Sequence, residues 1–263
     1  MPNLIERTDQ LHRKILIPYL PKRIISLVPS HTETLYDLGL SDRIVGVTKF
    51  CIRPTKELLA VEKVGGTKRL DLYKIKQLKP DLIIANKEEN TREEIEKLMQ
   101  QYPVWISDIY TLEDATSMIT SVGEIVGREV AARQIAMEIE RGFETLRPLR
   151  QPLRVAYFIW KNPHMVAAKN TFIDHILSLA GFENFFNQDR YPVLEEDELR
   201  RANPDVVFLS SEPYPFSNKH LEEFSELFPH SKLVLVDGEM FSWYGSRLKS
   251  TPQYLQKIIL DNF

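Results

Sequence analysis

Two stretches of this 263-residue chain repeat one pattern at a constant offset of 124 positions. The first is Lys79-Pro80-Asp81-Leu82-Ile83-Ile84-Ala85 with Glu88 beyond it, and the second is Asn203-Pro204-Asp205-Val206-Val207-Phe208-Leu209 with Glu212 beyond it. A Pro-Asp pair ahead of a continuous apolar run marks a chain leaving a helix and entering a buried strand of a parallel sheet. Its recurrence with the same trailing acid predicts a duplicated α/β lobe.

The remaining sequence supplies both copies. Residues 23–28 read as a buried strand ended by Pro29, and Ser30-His31-Thr32-Glu33 reads as a capping box opening a helix toward Gly39. Residues 44–47, 82–85 and 104–106 are further strands, with helices through Leu72, Ile75 and Leu78 and, capped by Thr91 with Glu94, through Ile95 and Leu98. The second copy has strands at 155–159, 206–209 and 233–236, and a helix capped by Thr171 that runs to Gly181. Between the copies, residues 111–148 read as helical apart from Gly127. An apolar stripe at Val130, Ile135, Ile139, Phe143 and Leu146 spans about 20 residues, a rod of roughly 30 Å. Flexible linkers are usually rich in Gly or Ser, so this connection is expected to be stiff. The predicted fold is α/β: two Rossmann-like lobes, each with a mostly parallel sheet, joined by a single long rigid helix. The expected boundaries are 1–126, 127–148 and 149–263.

Composition removes several function classes. A single Cys excludes a disulfide scaffold, and Lys plus Arg at 34 against Asp plus Glu at 37 leaves a net charge of −3, with no field for nucleic acid. No apolar run reaches about 18 residues, so the chain is not membrane-spanning. No apolar core of a secretory signal precedes Pro29, so the sequence as it stands reads as cytoplasmic, and as periplasmic if a leader has been trimmed away. A monomer is expected.

Ligands of parallel α/β sheets gather outside the carboxyl ends of the strands. The loops there carry Ser30 and His31, then Lys49, Phe50 and Cys51, then Asn86-Lys87-Glu88-Glu89-Asn90 in the first copy. In the second they carry Trp160-Lys161-Asn162-Pro163-His164-Met165, then Glu212-Pro213-Tyr214-Pro215-Phe216, then Phe241-Ser242-Trp243-Tyr244-Gly245-Ser246-Arg247. Trp160, Tyr214, Trp243, Tyr244 and Phe50 are candidate aromatic walls for a flat ligand, or loop anchors. Arg247 and Lys87 are candidate anchors for anionic groups, or salt-bridge partners of Glu88, Glu89 or Glu212. His31 is a candidate axial or polar contact, or a helix-start histidine that meets water; His164 is a loop candidate. Glu88 and Glu212 either contact ligand or metal, or cap helices. His12, His175, His220 and His230 read as surface or structural. There is no nucleophile elbow, phosphate loop, dinucleotide fingerprint or zinc-protease helix, so no catalytic residue is assigned and the chain reads as a binder rather than an enzyme.

The opening "PKRIISLVPSHTETLYDLG", the duplicated lobes and the connecting helix resemble the ABC-transporter solute-binding proteins with a single helical backbone, which include cobalamin-, haem- and ferric-siderophore-binding proteins. The strings "VGGTK", "KPDLIIANKEEN", "RYP" and "DGEMFSWYGSR" are most similar to the cobalamin-binding-like, helical-backbone metal receptors. The resemblance covers nearly the whole chain and extends to a short hairpin before the first strand. It implies a non-catalytic receptor, with no required cofactor, that holds one metal chelate (a corrinoid, haem or ferric siderophore) in a cleft between the lobes. It also implies docking to an ABC permease through an acid on each lobe. The matching stretches are Leu70-Asp71-Leu72-Tyr73-Lys74, where Asp71 is the one acid, and Glu195-Glu196-Asp197-Glu198. The rival reading is an intracellular metal-ion protein or enzyme on the same scaffold, with His31, Glu88 and Glu212 as metal ligands.

Overall fold

Strand and helix alternate along the chain in the order the apolar runs dictate, in a computed structural model that describes residues 4–263. The first three residues of the stretch read for a leader lie outside the described residues. A hairpin of β1 (Leu4–Thr8) and β2 (Lys14–Pro18) precedes β3 (Ile24–Ser26), α1 (Pro29–Asp37), β4 (Ile44–Val47) and β5 (Glu62–Lys63). A second hairpin, β6 (Gly65–Gly66) and β7 (Arg69–Leu70), leads to α2 (Leu72–Leu78), β8 (Leu82–Asn86), α3 (Arg92–Met99) and β9 (Val104–Ser107). Two longer helices follow, α4 (Leu112–Val126) and α5 (Glu129–Thr145). The later elements are β10 (Leu153–Trp160), β11 (Met165–Ala167), α6 (Phe172–Leu179), β12 (Phe182–Asn184) and α7 (Glu196–Arg201). They continue through β13 (Val206–Ser210), α8 (Asn218–Leu227), β14 (Lys232–Val236), α9 (Glu239–Ser242) and α10 (Thr251–Asn262).

The chain divides into two compact units. In the first, a parallel sheet of order β5-β4-β3-β8-β9 has β8 buried at all five positions, packed with Ile25, Leu27, Val64, Ile75 and Leu98. In the second, the order is β11-β10-β13-β14, with β12 also on β10; β11 is antiparallel and the other pairings are parallel. There β13 is buried throughout, and Phe158, Phe216, Phe224 and Phe228 fill the core on one face. Each fully buried Phe or Ile contributes about 1.5–3 kcal/mol, which accounts for the continuous apolar runs at these strands.

The Pro-Asp repeat has a shared physical cause. The Asp81 carboxylate accepts the backbone N–H groups of Lys22 and Arg23, each at 2.8 Å, where the chain enters β3. Asp205 accepts the N–H of Arg154 at 2.7 Å beside β10. In each unit the acid thus ties the start of one central strand to its neighbour and sets the register.

Four expectations are corrected. Helix α5 covers 129–145 rather than 127–148, because Gly127 takes a left-handed φ of +71° that ends α4. Val130 is 84% exposed, outside the apolar stripe, whereas Ile135 and Ile139 are buried. The capping box at Ser30 does not form: Pro29 occupies the first helical position, Val28 is the N-cap, and the Ser30 hydroxyl makes no capping bond. Finally, the first unit is not contiguous. Tyr244–Lys249 belongs to it, whereas Arg141–Trp243 and Ser250–Phe263 belong to the second. A Cβ on Gly245 would lie 2.3 Å from Thr34 Oγ1 and 2.4 Å from the Ser30 carbonyl, so only glycine lets this segment reach α1. Gly245→Ala is expected to cost about 2 kcal/mol through this overpacking, read as a lower urea midpoint with unchanged slope. An unaltered midpoint would show that the segment is held loosely.

Candidate functional site

In the first unit the carboxyl ends of β3, β4 and β8 carry His31, Phe50, Lys87 and Glu88 among the predicted residues. His31, in the first turn of α1, does not meet water. It is 2% exposed, with Nε2 hydrogen-bonded to Ser107 Oγ at 3.1 Å and its ring 5.6 Å from that of Tyr244. Burial pushes its pKa down to about 3, so the imidazole is neutral at pH 7. Nδ1 has no hydrogen-bond partner among the described residues. Tyr244 is itself 6% exposed; with the return segment seated on α1, it covers His31 rather than forming a wall of the second unit.

Arg247 is also placed differently from expectation. Its Nε donates to Glu33 Oε2 at 2.9 Å, and its Nη2 reaches Glu33 Oε1 at 2.5 Å, a two-pronged ion pair with both side chains mostly buried. Burial raises the Glu33 pKa while Arg247 opposes the rise. Glu33 therefore serves this ion pair instead of a capping box, and none of the acids expected opposite Arg247 is its partner in that pair. Lys87 bonds Asp108 at 2.6 Å, again with a different acid from those expected. Asn86 folds the loop after β8, its Oδ1 accepting the N–H groups of Glu88 at 2.8 Å and Glu89 at 3.0 Å. Glu88 thereby sits in a turn rather than at a helix cap.

Phe50 remains available at 50% exposure, beside Lys49, whose Nζ lies 5.0 Å from the ring centre. With the β6–β7 hairpin they line a groove of about 760 Å3 that also takes in Thr67, Lys68, Arg69 and Asp71. Lys68 and Arg69 were not singled out from the sequence. The signal was Gly65-Gly66 followed by two cations, a glycine hairpin placing charge at a strand end. Asp71, the permease-docking acid implied for this lobe, is the N-cap of α2, accepting the Lys74 N–H at 3.0 Å. Lys74 in turn pairs with Glu62.

In the second unit Trp160 and Tyr214 come together at the ends of β10 and β13, edge to face at 5.6 Å. Trp160 is 38% exposed and its Nε1 donates to the Asn162 carbonyl at 3.2 Å, while Tyr214 packs on Phe216 at 4.7 Å. His164 turns onto Phe158 and Phe224, with ring separations of 6.2 and 5.6 Å, and burial lowers its pKa; it packs half-buried against the core. Trp243 is 6% exposed, so it is not an open wall. Its Nε1 donates to Glu212 Oε1 at 2.9 Å, and Ser242 Oγ donates to the same oxygen at 2.7 Å. Glu212 is thus a half-buried acceptor, its pKa raised chiefly by desolvation. His220, read as surface or structural, takes the structural place: it is 3% exposed and closes the capping box of α8 with Ser217. Among the described residues no three His, Cys, Asp or Glu side chains form a group able to hold a metal ion. His31, bonded to Ser107, and Glu212, bonded to Ser242 and Trp243, are committed to other partners than a bare ion. In the "RYP" string, Arg190 has its Nη1 3.3 Å from the Tyr110 hydroxyl and its guanidinium over the rings of Tyr110 and Tyr191.

No helix among the described residues is long and apolar enough to cross a membrane. A family profile described as periplasmic binding protein matches residues 24–227. A vitamin B12-binding protein of Vibrio cholerae serotype O1 is 29% identical over 210 residues, covering 78% of this chain and 75% of that protein. An uncharacterized ABC transporter substrate-binding lipoprotein, YvrC of Bacillus subtilis, is 27% identical over 272 residues, covering 97% and 85%. The solved structure of the periplasmic heme-binding protein BhuT with two hemes superposes with a TM-score of 0.80 at 24% identity, over 91% of this chain and 98% of that one.

Proposed function

Because the chain belongs to the periplasmic binding protein family, we propose that this solute-binding protein captures a metal chelate (a corrinoid, haem or ferric siderophore) on the carboxyl-end loops of its α/β units for ABC-type uptake. The family binds solutes rather than transforming them. The observation that carries the ligand class is the exposed Trp160 ring, fixed edge to face on Tyr214 at the carboxyl edge of its sheet. A large ring left half open where parallel sheets receive ligands offers stacking area to a flat or bulky molecule. The reading includes a permease as partner. The exposed acids Glu196 and Asp197 of α7 support it, although each pairs with Arg200 or Arg201 one turn on.

The test is incubation with cyanocobalamin, hemin and ferrichrome in turn, then desalting and visible absorption of the protein fraction. One chromophore is expected to co-elute at about one per chain, and Trp160→Ala is expected to weaken its retention about tenfold, the loss of one stacking face. Failure of all three to co-elute would remove the chelate assignment.

A further inference from the structure

The groove of the first unit is built more specifically than a general apolar floor. Its lining holds three cations, Lys49, Lys68 and Arg69, against a single acid, Asp71, whose carboxylate is occupied at the start of α2. Arg69 is exposed and makes no side-chain hydrogen bond or ion pair among the described residues. Lys68 donates from Nζ to the Glu88 carbonyl, a neutral acceptor that leaves its charge uncompensated there. A nearby carboxylate outside the lining, Glu94, accepts the Leu70 N–H at 2.9 Å.

The scaffold holds the backbone of these cations in place. Gly65 has φ +100°, and a Cβ there would meet the Arg69 carbonyl at 2.5 Å, so the β6–β7 turn closes only with glycine. The tip is tied back by Asn90 Nδ2, which donates to the Thr67 carbonyl at 3.0 Å, and the Gly65 carbonyl accepts the Lys49 N–H at 2.8 Å. A Cβ on Gly66 would approach Phe50 at 3.1 Å and Lys49 at 3.4 Å; its absence lets the exposed ring and the ammonium stem lie against the hairpin. A half-open aromatic ring beside three cations carried on a fixed backbone suits a ligand with an apolar body and acids on its rim.

We propose that this groove selects, within the class assigned above, chelates that carry peripheral carboxylates over chelates of the same shape whose rim is uncharged. The inference rests on the solute-binding reading and names the chemistry that reading leaves open. The probes are hemin, with two free propionates, and hemin dimethyl ester, the same macrocycle without them, titrated in one cosolvent mixture by visible absorption. Cyanocobalamin serves as the reference for the broader reading. Hemin is expected to bind about tenfold more tightly than the ester, with the difference shrinking as salt is raised. In Lys68→Ala/Arg69→Ala the ratio is expected to fall to near one. Both side chains are exposed, and an unchanged melting temperature verifies that the variant folds.

Equal affinity for acid and ester in the unmodified protein, or a preference that survives in the double variant, overturns the groove assignment. Binding of cyanocobalamin with neither porphyrin overturns it too, while leaving the solute-binding reading intact. Binding of none of the three probes overturns this inference and counts against the chelate reading as well.

Discussion

Trp243→Ala is expected to lower the unfolding free energy by about 3–5 kcal/mol, the range for deleting a large buried aromatic. Two costs combine. The indole is 6% exposed, so its removal opens a cavity next to a strand end. It also takes away the Nε1–H that Glu212 Oε1 accepts at 2.9 Å, leaving a half-buried carboxylate with the Ser242 hydroxyl at 2.7 Å. Losing a donor to a charged acceptor costs more than losing a neutral pair. Trp243→Phe separates the two costs, since it keeps much of the volume and removes only the donor, and is expected to lose about 1–3 kcal/mol. Urea unfolding measures both. A Trp243→Ala midpoint equal to that of the unmodified chain would show that the ring is dispensable to the fold and return it to the set of ligand walls.

Acidification should destabilise the protein through His31. Its folded pKa of about 3 lies below the ordinary value of 6.5, so the unfolded chain takes up this proton first. Stability from the neutral ring is therefore complete above about pH 6.5 and is lost as pH falls toward 3. At pH 5 the loss is about 2 kcal/mol, fixed almost wholly by the unfolded value. Glu33 and Glu212 run the other way, because burial raises both: their contribution is present at low pH and disappears as pH rises through their folded values. The difference between unmodified protein and His31→Asn isolates the histidine. Its stability curve from pH 7 to pH 5 is expected to be flatter by up to one proton. Parallel curves would mean that the ring titrates in the folded chain as it does in the unfolded one.

The sheets were legible because their signals are local. Pro-Asp before an apolar run identified β8 and β13, and the structure adds the reason: Asp81 and Asp205 hold the backbone of Arg23 and Arg154 at the next strand. Trp160 was placed by the same local signal, since it ends β10, and Tyr214, half-buried in the loop after β13, meets it there. What escaped depends on distant sequence. Glu33 and Arg247 are 214 positions apart, and nothing in either neighbourhood announces the other. His31 looked solvent-facing because the Tyr244 that covers it is equally remote. Ser30 looked like a cap because its spacing to Glu33 is correct, but Pro29 had already taken the first helical position. Lys68 and Arg69 became informative only once the glycine hairpin set them beside Phe50.

The membership of Tyr244–Lys249 in the first unit bears on how the molecule is made. All strands of that unit's sheet precede those of the second unit, yet Glu33 and Thr34 wait for Arg247 and the Ser246 amide, which follow the last strand of the second unit. A nascent chain that has passed Ser107 but not reached that strip holds all five strands of the sheet with an unfinished face, so the strands of the second unit are made between the sheet and the contacts that complete the N-terminal half.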